Sequence, residues 1–149
     1  MTTLHIGAAG EPLVQYQLLK LNIDSTRLTT DAGIDLVVYA PGTASATTVQ
    51  VKANLAVKPA GAKGQLSRSW DFPQACPAQL LALVALDCDS VWLFTLAEAR
   101  ELAQQHSPKG IRKLYWFMAP PTGGAAGARH QDEMTQYLLE ARAPLLFPR

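Results

Sequence analysis

The sequence predicts an α/β protein of the α+β type, in which a mixed central sheet of about four or five strands is flanked by helices. Apolar residues recur at helical spacing near the N-terminus, at Val14, Leu18 and Leu21. Short β-branched and leucine-rich segments follow, separated by turn-prone residues. The chain has 149 residues, 48% of them hydrophobic, so we expect a single domain over 1–149.

Local signals place the elements in order. The first helix is predicted to begin near Gly10-Glu11-Pro12, since proline suits a first turn, and to end at about Leu21. Two strands should follow, at 35–40 and about 47–57, joined by the turn Pro41-Gly42-Thr43. The remaining predictions are a long loop at 59–73, strands at 80–86 and 91–96, a helix at 96–105, a strand at 113–118, a flexible loop at 119–130 and a helix at 131–142.

The residues that carry chemistry lie in the first two predicted strands. Side chains alternate along a strand, so Gln50 and Lys52 share one face while Val49 and Val51 occupy the other. A symmetric hairpin would place Asp35 opposite Gln50 or Lys52, and opposite residues share a face. A carboxylate, an amide oxygen and an ammonium arranged in this way can hold a divalent cation and a water beside a phosphate. The pattern therefore predicts nuclease chemistry.

Glu11 is a second candidate carboxylate. It precedes Val14 by three residues and Leu18 by seven, which predicts a position on the inward stripe of the first helix. Two interpretations stay open. The residue is either a first-turn glutamate favoured by the helix dipole or a ligand that points into the site.

The distribution of charge is more informative than the net charge of +1, which by itself does not indicate nucleic acid. No Asp or Glu occurs from 36 to 70, and the basic residues of this window continue past Lys52 into the predicted loop. That loop is the candidate nucleic-acid-binding surface, with Lys58, Lys63, Arg68 and Trp70. The alternatives are that the lysines are ordinary solvated residues and that Trp70 covers the core.

Other chemistries find little support in the sequence. Cys76 and Cys88 are in neither a CxxC nor a zinc-like spacing, and the three histidines show no ligand spacing. Trp92, Tyr115 and Trp116 lie in predicted strands and are expected in the core.

The longest apolar run, 80–86, is far shorter than the roughly 20 residues of a membrane span, and residues 1–11 lack the pattern of a secretory signal. We expect a cytoplasmic protein with reduced thiols and no membrane partner.

With Gly10-Glu11, Gly33-Ile34-Asp35 and Val49-Gln50-Val51-Lys52, the chain resembles the PD-(D/E)xK nuclease superfamily. This group includes Holliday junction resolvases, many restriction enzymes and a branch of homing endonucleases, and it implies a restriction-endonuclease-like core. Two positions depart from its pattern. Ile34 precedes Asp35 where a proline is common, and Gln50 stands where the family usually has Glu or Asp. Because the homing-endonuclease branch tolerates glutamine there, the chain is most similar to that branch.

The resemblance implies a role for each residue. Asp35, the Gln50 amide oxygen and the Val51 carbonyl would bind Mg²⁺, or Mn²⁺ in its place, with Glu11 in support, while Lys52 would orient the attacking water. DNA is the implied partner and a homodimer or higher homo-oligomer the implied assembly, but duplex, branched and single-stranded substrates all stay open, as does RNA. One alternative is a catalytically degenerate binding module with the same fold. Another is an unrelated interaction protein in which Asp35 and Lys52 form only a surface ion pair.

Overall fold

The computed structural model describes residues 1–30, 32–61, 63–121 and 127–147, which form two sheets and flanking helices. In chain order the elements are α1 (Thr3–Leu19), β1 (Asp24–Arg27), β2 (Leu36–Tyr39), β3 (Ala46–Asn54), β4 (Lys58–Ala60), β5 (Gln65–Pro73), β6 (Leu80–Ala85), β7 (Ser90–Thr95), α2 (Leu96–Leu102), β8 (Gln105–His106), β9 (Ile111–Phe117), a 3-10 helix (Gln131–Tyr137) and α3 (Leu139–Leu146). No helix in these ranges combines the length and apolarity needed to cross a bilayer.

The first sheet is the mixed five-stranded sheet that the sequence predicts. Its order is β1-β2-β3-β6-β7, and β3 pairs with β6 in parallel while the other neighbours are antiparallel. Strand β6 is buried along its whole length, as its uninterrupted apolar run indicates for a strand covered on both faces. The prediction of an α+β fold is confirmed. The polar strand β1 was not predicted, because it lacks an apolar alternation.

A second sheet, with the order β4-β5-β9-β8, covers one face of the first. The prediction of a long loop at 59–73 is wrong, because this segment contains most of β4 and all of β5. Strand β5 buries Trp70 and Phe72 at alternate positions, and they pack with Leu114 and Trp116 of β9. The local composition of β5 is typical of a loop, but it forms a strand because it pairs with β9. The paired residues lie between 38 (Pro73 and Ile111) and 50 (Ser67 and Phe117) positions apart in the chain.

The N-terminal helix starts earlier than predicted. The Thr2 side chain caps α1 by accepting a hydrogen bond from the His5 backbone N–H at 3.3 Å, so the helix begins at Thr3 rather than near Gly10. Pro12 therefore lies inside the helix, where its missing N–H removes one helical hydrogen bond. Leu21, the predicted end, falls after the last helical residue.

The C-terminal segment also differs from prediction. A single helix was expected at 131–142, but an extended Leu138, with a ψ of 140°, separates the 3-10 helix from α3. Leu138 forms a bridge to Trp92 of β7, so contact with the first sheet interrupts the helix. The predicted loop at 119–130 does separate β9 from these helices; its residues 122–126 lie outside the described part of the chain.

Gly10 marks the point where α1 crosses β3. A Cβ atom built at Gly10 would lie 2.8 Å from the Cβ of Ala53, whereas one built at Gly7 meets nothing within 4 Å. We expect Gly10→Ala to lower the free energy of unfolding by about 1–2 kcal/mol, because Ala53 is attached to a central strand and cannot move away easily. Gly7→Ala, the matched control, should raise it by about 0.5–1 kcal/mol through helix propensity. Urea unfolding checks both; equal effects would contradict the close approach.

Candidate functional site

Asp35 is held at the edge of β3. It lies one residue before β2, and its backbone N–H donates a hydrogen bond to the Val49 carbonyl at 2.9 Å. Its Oδ2 accepts a hydrogen bond from the Val51 N–H at 2.7 Å. Since Leu36 is paired with Val49, continuing the register places Asp35 opposite Gln50, which is one of the two pairings predicted from the sequence. The carboxylate is therefore fixed beside the backbone of β3.

Gln50 and Lys52 project from the face of β3 that meets the second sheet. Their neighbours in the parallel register are Leu81 and Leu83, which belong to the core cluster between the two sheets. Gln50 is only 5% exposed, whereas Lys52 is half-buried. The glutamine therefore lies under the surface and the lysine reaches towards solvent.

The Gln50 amide oxygen is buried and has no hydrogen-bond partner within the described residues. An unsatisfied buried acceptor costs about 1–3 kcal/mol, so its position requires a reason. An amide oxygen next to a carboxylate fits a hard cation such as Mg²⁺, which is typically bound through one or two carboxylates and retains several waters. The described residues contain no cluster of three or more His, Cys, Asp or Glu that could hold a metal. Any ion here would therefore have no more than two ligands of these types within the described residues and would also need neutral oxygens such as those of Gln50 and Val51.

Glu11 approaches β3 from the other face. The buried stripe of α1 consists of Gly10, Val14 and Leu18, and Glu11 lies at the edge of this stripe. Because α1 begins at Thr3, Glu11 is not a first-turn glutamate. Its Oε2 is 3.6 Å from the Arg27 Nη2, an ion pair that the sequence analysis missed because β1 was not predicted. The Glu11 side chain is 21% exposed.

Lys52 opens into a cleft of about 720 Å³ between the end of β3 and the second sheet. The cleft is also lined by Asn54, which continues the alternation of Gln50 and Lys52, and by Lys58. Tyr115 also lines the cleft; it was expected in the core but is only half-buried. The alternation along β3 could have indicated Asn54 from the sequence, but no local pattern indicates Tyr115.

The predicted nucleic-acid-binding residues divide into two groups. Lys58 lines the cleft, and Lys63 is exposed in the turn that follows β4. Arg68 and Trp70 were expected on a loop surface, and that placement is wrong. Trp70 is 3% exposed, its indole N–H donates to the Val84 carbonyl at 3.1 Å, and its ring packs against two other tryptophans. Trp92 and Trp116 are buried with it, as the sequence predicts.

Arg68 forms a structural ion pair instead of a surface contact. It is 7% exposed, and its two terminal nitrogens donate to the two Asp87 carboxylate oxygens at 2.7 and 3.1 Å. This bidentate hydrogen bonding holds the pKa of Asp87 below its ordinary value of 3.8, although partial burial acts in the opposite direction. The Arg68 side chain is therefore buried and not exposed for contact with a ligand.

We expect Asp87→Asn to lower the free energy of unfolding at pH 7 by about 1–3 kcal/mol, because the buried Arg68 charge loses its partner. Since folding lowers this pKa, the stabilisation is complete above the unfolded-state pKa near 3.8 and is lost as pH falls through the lower folded-state value. Urea unfolding from pH 7 to pH 2 should show the two proteins converging in acid. Asp71→Asn is the control, because the Asp71–Lys113 pair is 3.8 Å apart with a 60% exposed aspartate, and it should change stability by less than about 0.5 kcal/mol.

The five-stranded mixed sheet with its helices defines a homing-endonuclease-like α+β fold. In particular, the structure is similar to that of the bacterial homing endonuclease I-Ssp6803I, with a TM-score of 0.65 and 12% sequence identity over 98% of this chain and 91% of that chain. At this identity the likeness establishes the fold. No protein-family model matches the chain, and no curated protein matches it in sequence.

Proposed function

We propose that the protein is a Mg²⁺-dependent endonuclease that hydrolyses phosphodiester bonds in DNA. One observation carries the proposal. The Asp35 carboxylate is anchored by the Val51 N–H at the place where β3 presents a buried amide oxygen without a partner among the described residues, and Lys52 on the same face opens into a cleft. A nuclease site needs these components: a carboxylate and neutral oxygens for a hard cation, and a positive charge beside the phosphate.

Each residue of the candidate site has its own role in the proposed reaction. Asp35, the Gln50 Oε1 and the Val51 carbonyl would hold Mg²⁺, for which Mn²⁺ can substitute. When bound, the cation supplies Lewis-acid stabilisation of the charge that grows on the phosphate oxygens. The Lys52 ammonium orients the attacking water and favours its deprotonated form, and it also stabilises the developing negative charge. Lys58 and Lys63 attract the phosphate backbone.

Glu11 is the supporting carboxylate in this proposal. Helix α1 packs on β3 through the face that carries Val51 and Ala53, so Glu11 would support the site from the side of the strand opposite Gln50 and Lys52. Its ion pair with Arg27, 3.6 Å apart and with a 49% exposed arginine, is weak by its geometry.

DNA is proposed as the partner because a structural neighbour is a homing endonuclease by name and because lysines line the cleft next to the site. A homodimer belongs to the same proposal, since cutting both strands of a duplex requires two sites.

A cleavage panel tests the proposed activity, with plasmid, four-way junction and single-stranded DNA in Mg²⁺, Mn²⁺ or EDTA. We expect cleavage with either metal and none with EDTA. A complete lack of cleavage with both metals would overturn the proposal.

A second candidate function is a non-catalytic binding module with the same fold. It is favoured by Gln50 in place of a carboxylate and by the lack of a three-ligand acidic cluster in the described ranges. Calorimetric titration with Mn²⁺ separates the two functions. Mn²⁺ binding that is lost in the Asp35→Asn variant supports the endonuclease function. A lack of Mn²⁺ binding at millimolar concentrations supports the non-catalytic binding module.

A further inference from the structure

The wall of the cleft has features that the cleavage chemistry does not use. It is the outward face of the second sheet, where Tyr115 and Phe117 of β9 lie opposite Ser69 and Ser67 of β5. Directly paired residues share a face, so the two aromatic side chains and the two serines form one continuous surface. All four line the cleft.

The aromatic rings on this wall are available to a ligand. Tyr115 and Phe117 are half-buried, whereas Leu114 and Trp116, which alternate with them, point into the core and are 0% exposed. The two ring centroids are 5.9 Å apart at an interplanar angle of 82°. The serines opposite have too few atoms to cover an aromatic ring. The cleft therefore presents flat apolar surface beside hydroxyl groups.

The charges of the cleft favour an anion. Lys52 on β3, Lys58 on β4 and Lys113 on β9 all line it. Among the described lining residues the opposing carboxylate is Asp71, which is 3.8 Å from the Lys113 ammonium. Lysines interleaved with aromatic rings are typical of surfaces that bind single-stranded nucleic acid, where phosphates meet the cations and bases stack on the rings.

We propose that this cleft binds unpaired nucleotides of single-stranded DNA, with bases on Tyr115 and Phe117 and phosphates along Lys52 and Lys58. This inference rests on the proposed endonuclease function and narrows its substrate to DNA that has a single-stranded region next to the scissile bond. Base faces inside a duplex are stacked on each other and cannot reach protein rings, so the wall selects unpaired bases. The volume of about 720 Å³ lies within the range of clefts that enclose a small ligand, so a nucleotide has room.

The binding wall and the candidate site are connected through β3. The Asn54 side-chain amide donates a hydrogen bond to the Ser69 carbonyl, which ties the end of β3 to β5. Along β3, Lys52 lies between Asn54 and Gln50 on the same face. A strand of DNA whose bases stack on the wall would therefore reach Lys52, which is the neighbour of Gln50 on this face of β3; neither Gln50 nor Asp35 is among the described residues that line the cleft.

Fluorescence anisotropy with the full chain in EDTA tests this proposal without cleavage. The probes are a fluorescein-labelled oligothymidine of about 12 nucleotides and a blunt DNA duplex of about 12 base pairs, which has no unpaired bases. We expect the single strand to bind at least about tenfold more tightly than the duplex, and Tyr115→Ala and Phe117→Ala each to weaken single-strand binding about tenfold. Tyr115→Phe should restore the affinity to within about twofold, because the ring stays. Tyr16→Ala, which removes a 58% exposed ring on α1, is the matched control.

Equal affinity for both probes, or unchanged single-strand affinity in a folded Tyr115→Ala protein, would overturn the proposal. If the ring variants fail to fold, Lys58→Ala provides a second test. It should reduce the salt slope of single-strand binding by about 0.7, and an unchanged slope counts against the cleft. The two proposals fail separately. Selective single-strand binding without cleavage contradicts only the nuclease, whereas metal-dependent cleavage with no effect of the ring variants contradicts only the single-strand cleft.

Discussion

Lys52→Met should reduce the proposed Mg²⁺-dependent DNA cleavage by about 100- to 1000-fold, because it removes the positive charge that the proposed mechanism places beside the phosphate and keeps most of the side-chain volume. Asp35→Asn should cause a loss of at least the same size. An asparagine oxygen can still accept the hydrogen bond from the Val51 N–H, so the contact between residue 35 and β3 is kept. The negative charge that would bind the cation is lost. Initial cleavage rates in Mg²⁺ and Mn²⁺ measure both effects.

Lys109→Met is the matched control for this experiment. Lys109 is an exposed lysine in the turn before β9 and does not line the cleft. The initial cleavage rate of this variant should lie within about twofold of the rate of the unmodified protein, since a single surface lysine away from the candidate site contributes little to catalysis. Circular dichroism and thermal unfolding verify that all variants are folded. Equal cleavage by the Lys52, Asp35 and Lys109 variants would remove Asp35 and Lys52 from the active site.

Trp116→Ala should lower the free energy of unfolding by about 3–5 kcal/mol, which is the largest stability effect that we expect. Trp116 is 0% exposed, and its ring centroid lies 4.9 Å from those of both Trp70 and Trp92. The three rings join the second sheet to the first, so the cavity left by an alanine opens at the interface of the sheets. Urea unfolding followed by circular dichroism measures the change.

Trp116→Phe provides a graded comparison for this effect. The Trp116 Nε1 is buried without a hydrogen-bond partner in the described part of the chain, so a phenylalanine removes an unsatisfied donor while it keeps an aromatic ring. We expect a loss below about 2 kcal/mol for this variant. Tyr16→Ala, at a 58% exposed position, should change stability by less than about 1 kcal/mol. A loss of similar size in all three variants would contradict the central role of the tryptophan cluster.

The central hairpin could be predicted because its signals are local. Strands at 35–40 and 47–57 were expected, and β2 (Leu36–Tyr39) and β3 (Ala46–Asn54) lie within one to three residues of those limits. The shared face of Gln50 and Lys52 follows from strand alternation, which needs no information about distant parts of the chain. The short turn between neighbouring strands restricted the partner of Asp35 to Gln50 or Lys52, and the observed register selects Gln50.

The second sheet could not be predicted, because its pairing is not local. Ser67 pairs with Phe117 and Ser69 with Tyr115, so the partner of β5 lies far along the chain. Basic and small polar residues around Trp70 are typical of a binding loop when read alone. Arg68 could be buried only because Asp87, which follows β6, supplies a bidentate partner.

The sequence by itself determined the α+β class, the central hairpin and the shared strand face of Gln50 and Lys52, because these depend on backbone geometry within or between neighbouring segments. Only the tertiary structure decided that Arg68 and Trp70 are buried, that the Gln50 side-chain oxygen is buried, and that Tyr115 lines a cleft. The physical reason is that burial and cleft shape arise from contacts between segments far apart in the chain, which no local pattern of residues specifies.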